Sequence, residues 1–206
     1  MPKRDQAYMD AQRRAIVMAA LDVLLEKGVY KTTLRDICQR GNISIGAFYT
    51  HFKTIDEMII AACAVDLGDS GVKDGTVTWI DYVESFREAV LNLRLPYGRK
   101  RTRLSLQLVS DQIMATENLP GLSDIYQAHQ RLYADALRQI RDSGEISLPY
   151  GVEAVAEFHM ISFTGTAYMV HANKDIQLEH AADRLVHALS LSVIVRNRVS
   201  DLKAAN

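Results

Sequence analysis

Cysteine is scarce: the 206 residues include two, Cys38 and Cys63. Both fall on apolar faces of expected helices, which excludes a disulfide framework and a metal pair; they read as small reduced core residues, with redox sensing as the alternative. Long apolar runs are missing too. No stretch approaches a membrane span, and the opening MPKRDQAYMD carries charge without the apolar segment of a secretion signal, so neither membrane insertion nor export is indicated and a cytoplasmic protein is expected. Catalytic signatures are absent as well: there is no nucleophile elbow, phosphate loop, dinucleotide fingerprint or HExxH. No enzyme and no cofactor is therefore expected. His129, His159 and His171 are scattered, without the close His/Asp/Cys spacing of a metal site. An excess of charge of one sign is lacking: 24 Lys and Arg stand against 25 Asp and Glu, which does not point to a polyanionic partner. The balance is uneven along the chain, however. Residues 1–60 carry nine cations against seven anions, and the remainder fifteen against eighteen. A nucleic-acid contact at the N-terminal end would rest on few cations, with backbone amides and hydroxyls supplying much of it and a moderate salt dependence.

What is present is ordinary folded-protein composition, 48% hydrophobic and 24% charged, enough for one large or two modest domains. The informative stretch is TTLRDICQRGNISIGAFYTHFK, residues 32–53. Thr33 can cap a helix starting near Leu34, and Asp36 three residues on completes a box-like start. Leu34, Ile37 and Cys38 share the buried face, leaving Arg35, Gln39 and Arg40 outward. Gly41-Asn42 stops this helix, since both residues tolerate positive φ, and Ile43 can plug the corner. Ser44 caps a second helix, Ile45 to Phe52. Phe48 and Phe52, four apart, anchor it on its own domain; Tyr49, Thr50 and His51 lie around the other side, and Gly46 and Ala47 keep its start slim. Two helices, a tight turn and a slender second helix make the geometry of a helix-turn-helix, whose second helix enters the DNA major groove.

Around this stretch the pattern is helical throughout. Asp10 to Lys27 forms a helix with an Ile16, Ala20, Leu24 stripe, closed by Gly28; Arg13 and Arg14 near its start are within reach of a phosphate, solvated surface charge being the blander account. Thr54 caps a fourth helix with Asp56 and Glu57 in its first turn. DSGVKDGTVT, 69–78, is read as a loop and the domain boundary, dividing residues 1–67 from 68–206. Further helices are expected over Trp79 to Leu95, ended by Pro96-Tyr97-Gly98; Arg99 to Thr116; from a proline turn at 118–121 to Ser143-Gly144; Val152 to Ala172; and Leu178 to about Arg198. The expected fold is all-α.

The residues from Ile16 to Ala62, with EKG closing the first helix, RDI in the Thr-capped second, Ser44 in the turn, and then Gly46-Ala47-Phe48-Tyr49, His51-Phe52-Lys53 and an acidic start to the fourth, resemble the DNA-binding domain of the TetR (tetracycline repressor) family. The resemblance covers about a quarter of the chain and is specific as an ordered set. It implies an N-terminal three-helix helix-turn-helix domain with a linker helix, followed by a larger helical effector-binding and dimerisation domain. The implied partners are a near-palindromic double-stranded DNA operator, a small apolar or amphipathic effector and a second copy of the chain, with no membrane. Within that reading Arg35, Ile45, Gly46, Ala47 and Tyr49 form the groove surface, and Thr33, Ser44, Thr50, His51 and Lys53 contact phosphates; at Ile55 the resembled family often has a phosphate-binding lysine, which isoleucine cannot replace. Trp79, Tyr82, Phe86, Met114, His129, Tyr133, His159 and Phe163 are the candidate effector wall, each one individually at home in a core. The dimer face is assigned to Ser162, Gly165 and Thr166, small enough for close helix approach, and to Leu185, Ala188, Leu189 and Ser192. Periodicity leaves packing within one subunit equally open, and it is the resemblance that selects a dimer. The resemblance also implies a repressor released from DNA when the effector favours an incompetent spacing of the two heads. The alternatives are a constitutive or architectural DNA-binding protein without a ligand, and an all-helical enzyme or lipid carrier whose helix-turn-helix is a packing device.

Overall fold

The computed structural model describes residues 6–67, 78–114 and 121–196, with side chains left out over 111–114. The described residues are almost wholly helical: α1 (Gln6–Lys27), α2 (Leu34–Arg40), α3 (Ile45–His51), α4 (Ile55–Leu67), α5 (Trp79–Asn92), α6 (Pro96–Met114), α7 (Leu122–Asp142), α8 (Val152–Ala172) and α9 (Leu178–Ser190). They build two compact units, one from 6–67 with 96–114 and 121–125, the other from 78–95 with 126–196.

In the first unit α1 is the spine. Ile16, Ala20 and Leu24 are fully buried among Ile37, Phe48, Phe52 and Met58, so its apolar stripe meets α2, α3 and α4 together. Gly28 ends the helix at φ 80°, and a side chain there would lie 2.6 Å from Gln107 Oε1. That close approach is used, because Gln107 Oε1 accepts the Val29 N–H at 3.0 Å while Arg103 Nη2 donates to the Leu25 and Glu26 carbonyls, 2.9 Å each. Side chains of α6 thereby satisfy two of the orphan carbonyls at the end of α1 and the first amide beyond Gly28. Cys38 and Cys63 are buried and not joined in a disulfide, and burial pushes the Cys38 thiol pKa up.

In the second unit α9 packs along α5, and α8 closes against both. Its core runs through Tyr82, Phe86, Val90, Leu137, Ile140, Ala156, Leu185 and Leu189. Thr78 caps α5 by accepting from the Asp81 amide at 3.1 Å, and Glu145 Oε2 accepts the Trp79 N–H at 2.8 Å.

Several boundaries differ from the sequence expectation. Pro96 opens α6 instead of interrupting it, since proline lacks only an N–H that the first helical turn leaves unbonded and its ring presets a helical φ. The helix expected to reach Arg198 stops at Ser190, and Ile194–Val195 pairs antiparallel with Ile146–Ser147 (Ile146 opposite Val195). Such two-residue ladders are too short to leave a period in the sequence. Residues 69–77 of the expected loop and the proline at 120 lie outside the described residues, while Thr78, the last residue of that loop, caps α5.

Candidate nucleic-acid interface

The local chemistry of α2 and α3 explains how a surface is made here. Thr33 Oγ1 accepts from the Asp36 amide at 3.2 Å and Asp36 Oδ2 accepts from the Thr33 amide at 3.1 Å, a complete capping box. Asp36 also meets Lys27 Nζ at 2.6 Å; that hydrogen bond first, and then those from Thr33, bring its carboxyl pKa down to about 2. Arg40 reaches back to Glu26 at 2.5 Å, so α2 is tied to α1 at both ends, and Arg40 is engaged within the domain where the sequence left it outward. The turn that follows is a Schellman closure: the Ile43 amide donates to the Cys38 carbonyl at 2.9 Å and the Asn42 amide to Gln39. Of the two turn residues Asn42 takes positive φ, 50°. Gly41 is right-handed, and its value is room, since a side chain would sit 3.3 Å from the Ala19 Cβ.

Ser44 Oγ caps α3 through the Ala47 amide at 3.1 Å. Phe48 and Phe52 are 0% and 1% exposed and contact one another at 5.6 Å between centroids. Their burial fixes the rotation of α3, and Ile45 and Tyr49, 53% and 55% exposed, face away from the core. Gly46 and Thr50 are exposed, Ala47 half-buried. A side chain added at Gly46 would find nothing nearer than Ser44 Oγ at 3.9 Å, so the domain's own packing does not require the glycine. Thr50 Oγ1 donates to the Gly46 carbonyl at 3.0 Å, and His51, half-buried, has Nε2 2.9 Å from Gln12 Oε1. Thr33, Arg35, Ser44 and Lys53 are exposed around this face. Arg35 and Ser44 line an open cleft of about 590 Å³ with Cys38, Gln39, Asn42 and Ile43. All ten residues assigned to DNA from the sequence thus lie at the surface of one helix-turn-helix. Ile55 instead packs against the core of the unit, the physical use of an apolar residue there.

Residues 16–62 match the model of a family described as bacterial regulatory proteins, tetR family. This segment is a tetR-family domain. YerO of Bacillus subtilis (strain 168), an uncharacterized HTH-type transcriptional regulator, is 32% identical over 62 residues, which span 30% of this chain and 22% of YerO. Likeness in fold to solved tetR-type structures reaches over most of the chain. TylP, a tetR regulator from Streptomyces fradiae, superposes with a TM-score of 0.65 over 92% of this chain and 82% of its own at 23% identity. SmeT of Stenotrophomonas maltophilia, in complex with triclosan, does so with 0.61 over 92% and 94% at 20% identity.

The second unit holds seven of the eight residues assigned to an effector wall, all but Met114. Trp79, Tyr82, Phe86, Tyr133 and His159 are at most 6% exposed and pack against each other, filling their unit's interior. Phe163 meets Phe86 at 5.9 Å and His129 stacks on Tyr133 at 5.4 Å; the Met114 side chain lies outside the described residues. His159 is joined to Tyr82 Oη at 2.9 Å through Nδ1 and to Ser192 Oγ at 2.8 Å through Nε2, so Ser192 serves this buried network. Burial lowers the imidazole pKa to about 4, opposed by the Leu189 carbonyl; burial likewise drives the Tyr82 phenol upward.

Of the residues assigned to a dimer face, Leu185 and Leu189 are 3% and 0% exposed in their own unit and cannot be offered to a partner; α5 has already claimed that stripe. Ser162, Thr166 and Ala188 are half-buried and Gly165 is exposed. The sequence reading did not assign to this face the exposed apolar residues flanking Gly165 on α8: Phe158, Tyr168 and Met169 were grouped with the large side chains of a possible apolar pocket, and Ile161 was not singled out. They recur at three-and-four spacing, a signal obscured because α8 is apolar on every side. Gln12 and Arg13 were also not paired with α3, and no local pattern could have paired residues so far apart in the chain.

Proposed function

We propose that this chain is a DNA-binding transcriptional regulator that acts as a homodimer on a near-palindromic operator, as a repressor released by a small apolar or amphipathic effector. Residues 1–67 are the DNA-binding part in this reading and 68–206 the effector and dimerisation part. The observation that carries it is the division of α3: Phe48 and Phe52 are consumed by the core while Ile45, Gly46 and Tyr49 remain outward on a slim helix. A packing device would not leave a half-exposed tyrosine and an undemanded glycine side by side. The α8 stripe around Gly165 supports a second copy as the partner for the other unit, because its large apolar side chains are exposed in their own unit and the glycine in their midst leaves room for a second helix to approach. A small-molecule effector is supported by likeness in fold to SmeT, which has a structure in complex with triclosan.

Arg35 is placed to read a base, since a guanidinium can bond both acceptors of a guanine edge, worth about 1–3 kcal/mol of discrimination. His51 lies where a phosphate contact is expected and carries no sequence information. With duplexes enriched by the wild-type protein from a random library, Arg35→Ala should lose preference for the enriched sequence over random DNA, and His51→Ala should weaken both alike. Equal losses on both probes in both variants would overturn these roles, and failure to enrich any duplex would overturn the regulator reading.

The burial of Trp79, Tyr82, Phe86, Tyr133 and His159 favours a second reading, a constitutive DNA-binding protein with no effector. A thermal-shift screen of small amphipathic molecules separates the two. A ligand present at about 100 times its Kd adds roughly 2.7 kcal/mol to the state it binds, so a raised melting temperature supports the first reading and a uniformly flat screen the second.

A further inference from the structure

We infer that Gln12, on α1, is a positioning residue for His51: its side-chain amide selects the tautomer and fixes the orientation of the imidazole at the edge of the DNA-binding surface. The inference rests on the regulator reading above and deepens it. α3 has seven residues, too few to hold its geometry by its own hydrogen bonds, and its last turn is where His51 sits. Two consecutive α1 side chains grip that turn. Gln12 Oε1 stands 2.9 Å from His51 Nε2, across 39 residues of sequence, and the Arg13 guanidinium lies 4.6 Å from the centroid of the Phe52 ring. Gln12 is half-buried and Arg13 exposed, so neither is needed to fill the core, which on α1 begins at Ile16.

A carboxamide oxygen can only accept, so the nitrogen facing it must carry the proton. The other nitrogen, Nδ1, is then left for whatever meets the surface, on a ring that no longer turns freely. Preorganisation of this kind raises affinity by removing an ordering cost on binding, without adding a contact.

The test uses the full chain in two measurements. Long-range nitrogen–proton NMR spectra of histidine-labelled protein, with the His51 signals identified from their loss in His51→Ala, should report the Nε2–H tautomer in the wild type and a shift toward the mixed pattern in Gln12→Met, which keeps length and loses the acceptor. A wild-type Nδ1–H tautomer, or spectra identical in the two proteins, overturns the inference. Affinities for the duplex enriched by the wild type are then compared in a double-mutant cycle. Gln12→Met should weaken binding about three- to tenfold, the worth of one hydrogen bond, and should have no further effect once His51 is alanine. Independent, multiplying losses would show Gln12 acting without His51 and overturn it too, while failure of the wild type to enrich any duplex brings down the regulator reading and Gln12's role with it.

Discussion

Phe48→Ala should destabilise the first unit by about 3–5 kcal/mol, the range for removing a large side chain from a close-packed interior. Phe48 is completely buried, touches Phe52 at 5.6 Å and Tyr49 at 5.4 Å, and shares its core with Ile16, Leu24, Ile37 and Met58. A cavity there removes what sets the rotation of α3, so retention of DNA should vanish together with stability. Tyr49→Ala, one residue along, is the contrast. Its side chain is 55% exposed, and substitutions at such positions usually change stability by less than about 0.5 kcal/mol. Urea unfolding should therefore barely move while binding to the enriched duplex falls. If Phe48→Ala unfolds at the wild-type urea concentration, or Tyr49→Ala binds as well as the wild type, the assignment of one face to the core and the other to DNA is wrong.

The second large effect is acid destabilisation through His159. Its folded-state pKa of about 4 lies below the ordinary value of 6.5 because burial opposes the charged form. Between these two values the unfolded chain binds the proton and the folded one does not, so the stability that His159 contributes is complete above about pH 6.5. It falls as the solution is acidified toward pH 4. The difference corresponds to roughly 3 kcal/mol at 1.36 kcal/mol per unit, an order-of-magnitude figure. The check is the pH dependence of the unfolding free energy in wild type and in His159→Gln. The wild-type curve should drop more steeply than the variant's over that window, and parallel curves would count against a neutral buried imidazole. Tyr82→Phe offers an independent view. It strips His159 Nδ1 of the hydroxyl 2.9 Å away, leaving a buried acceptor unpaired at a cost of about 1–3 kcal/mol.

Features encoded over a few residues are legible in the sequence. The box between Thr33 and Asp36, the Ser44 cap, the stop at Gly28 and the common face of Phe48 and Phe52 each depend on side chains within a single turn or two, where helix geometry alone dictates who meets whom. The same reasoning placed the outward residues of α3, since fixing one face of a helix fixes the other. Reading Pro96 as a breaker failed because proline has opposite meanings inside a helix and at its first position, and local sequence does not say which applies.

By itself, then, the sequence determined that this chain is helical, where α2, α3 and α4 begin, and which edge of α3 faces outward, although α1 starts at Gln6, four residues ahead of the expected Asp10. Only the tertiary structure decided which apolar stripes are already spent. A 3.6-residue period announces that a face is covered without naming the cover, so Leu185 and Leu189 looked free for a partner until α5 was seen to pack along α9. The Gln12–His51 pair, and the grip of Arg103 and Gln107 on the end of α1, were likewise invisible, because their partners are 39 to 78 residues apart in the chain and meet only once the first unit has folded.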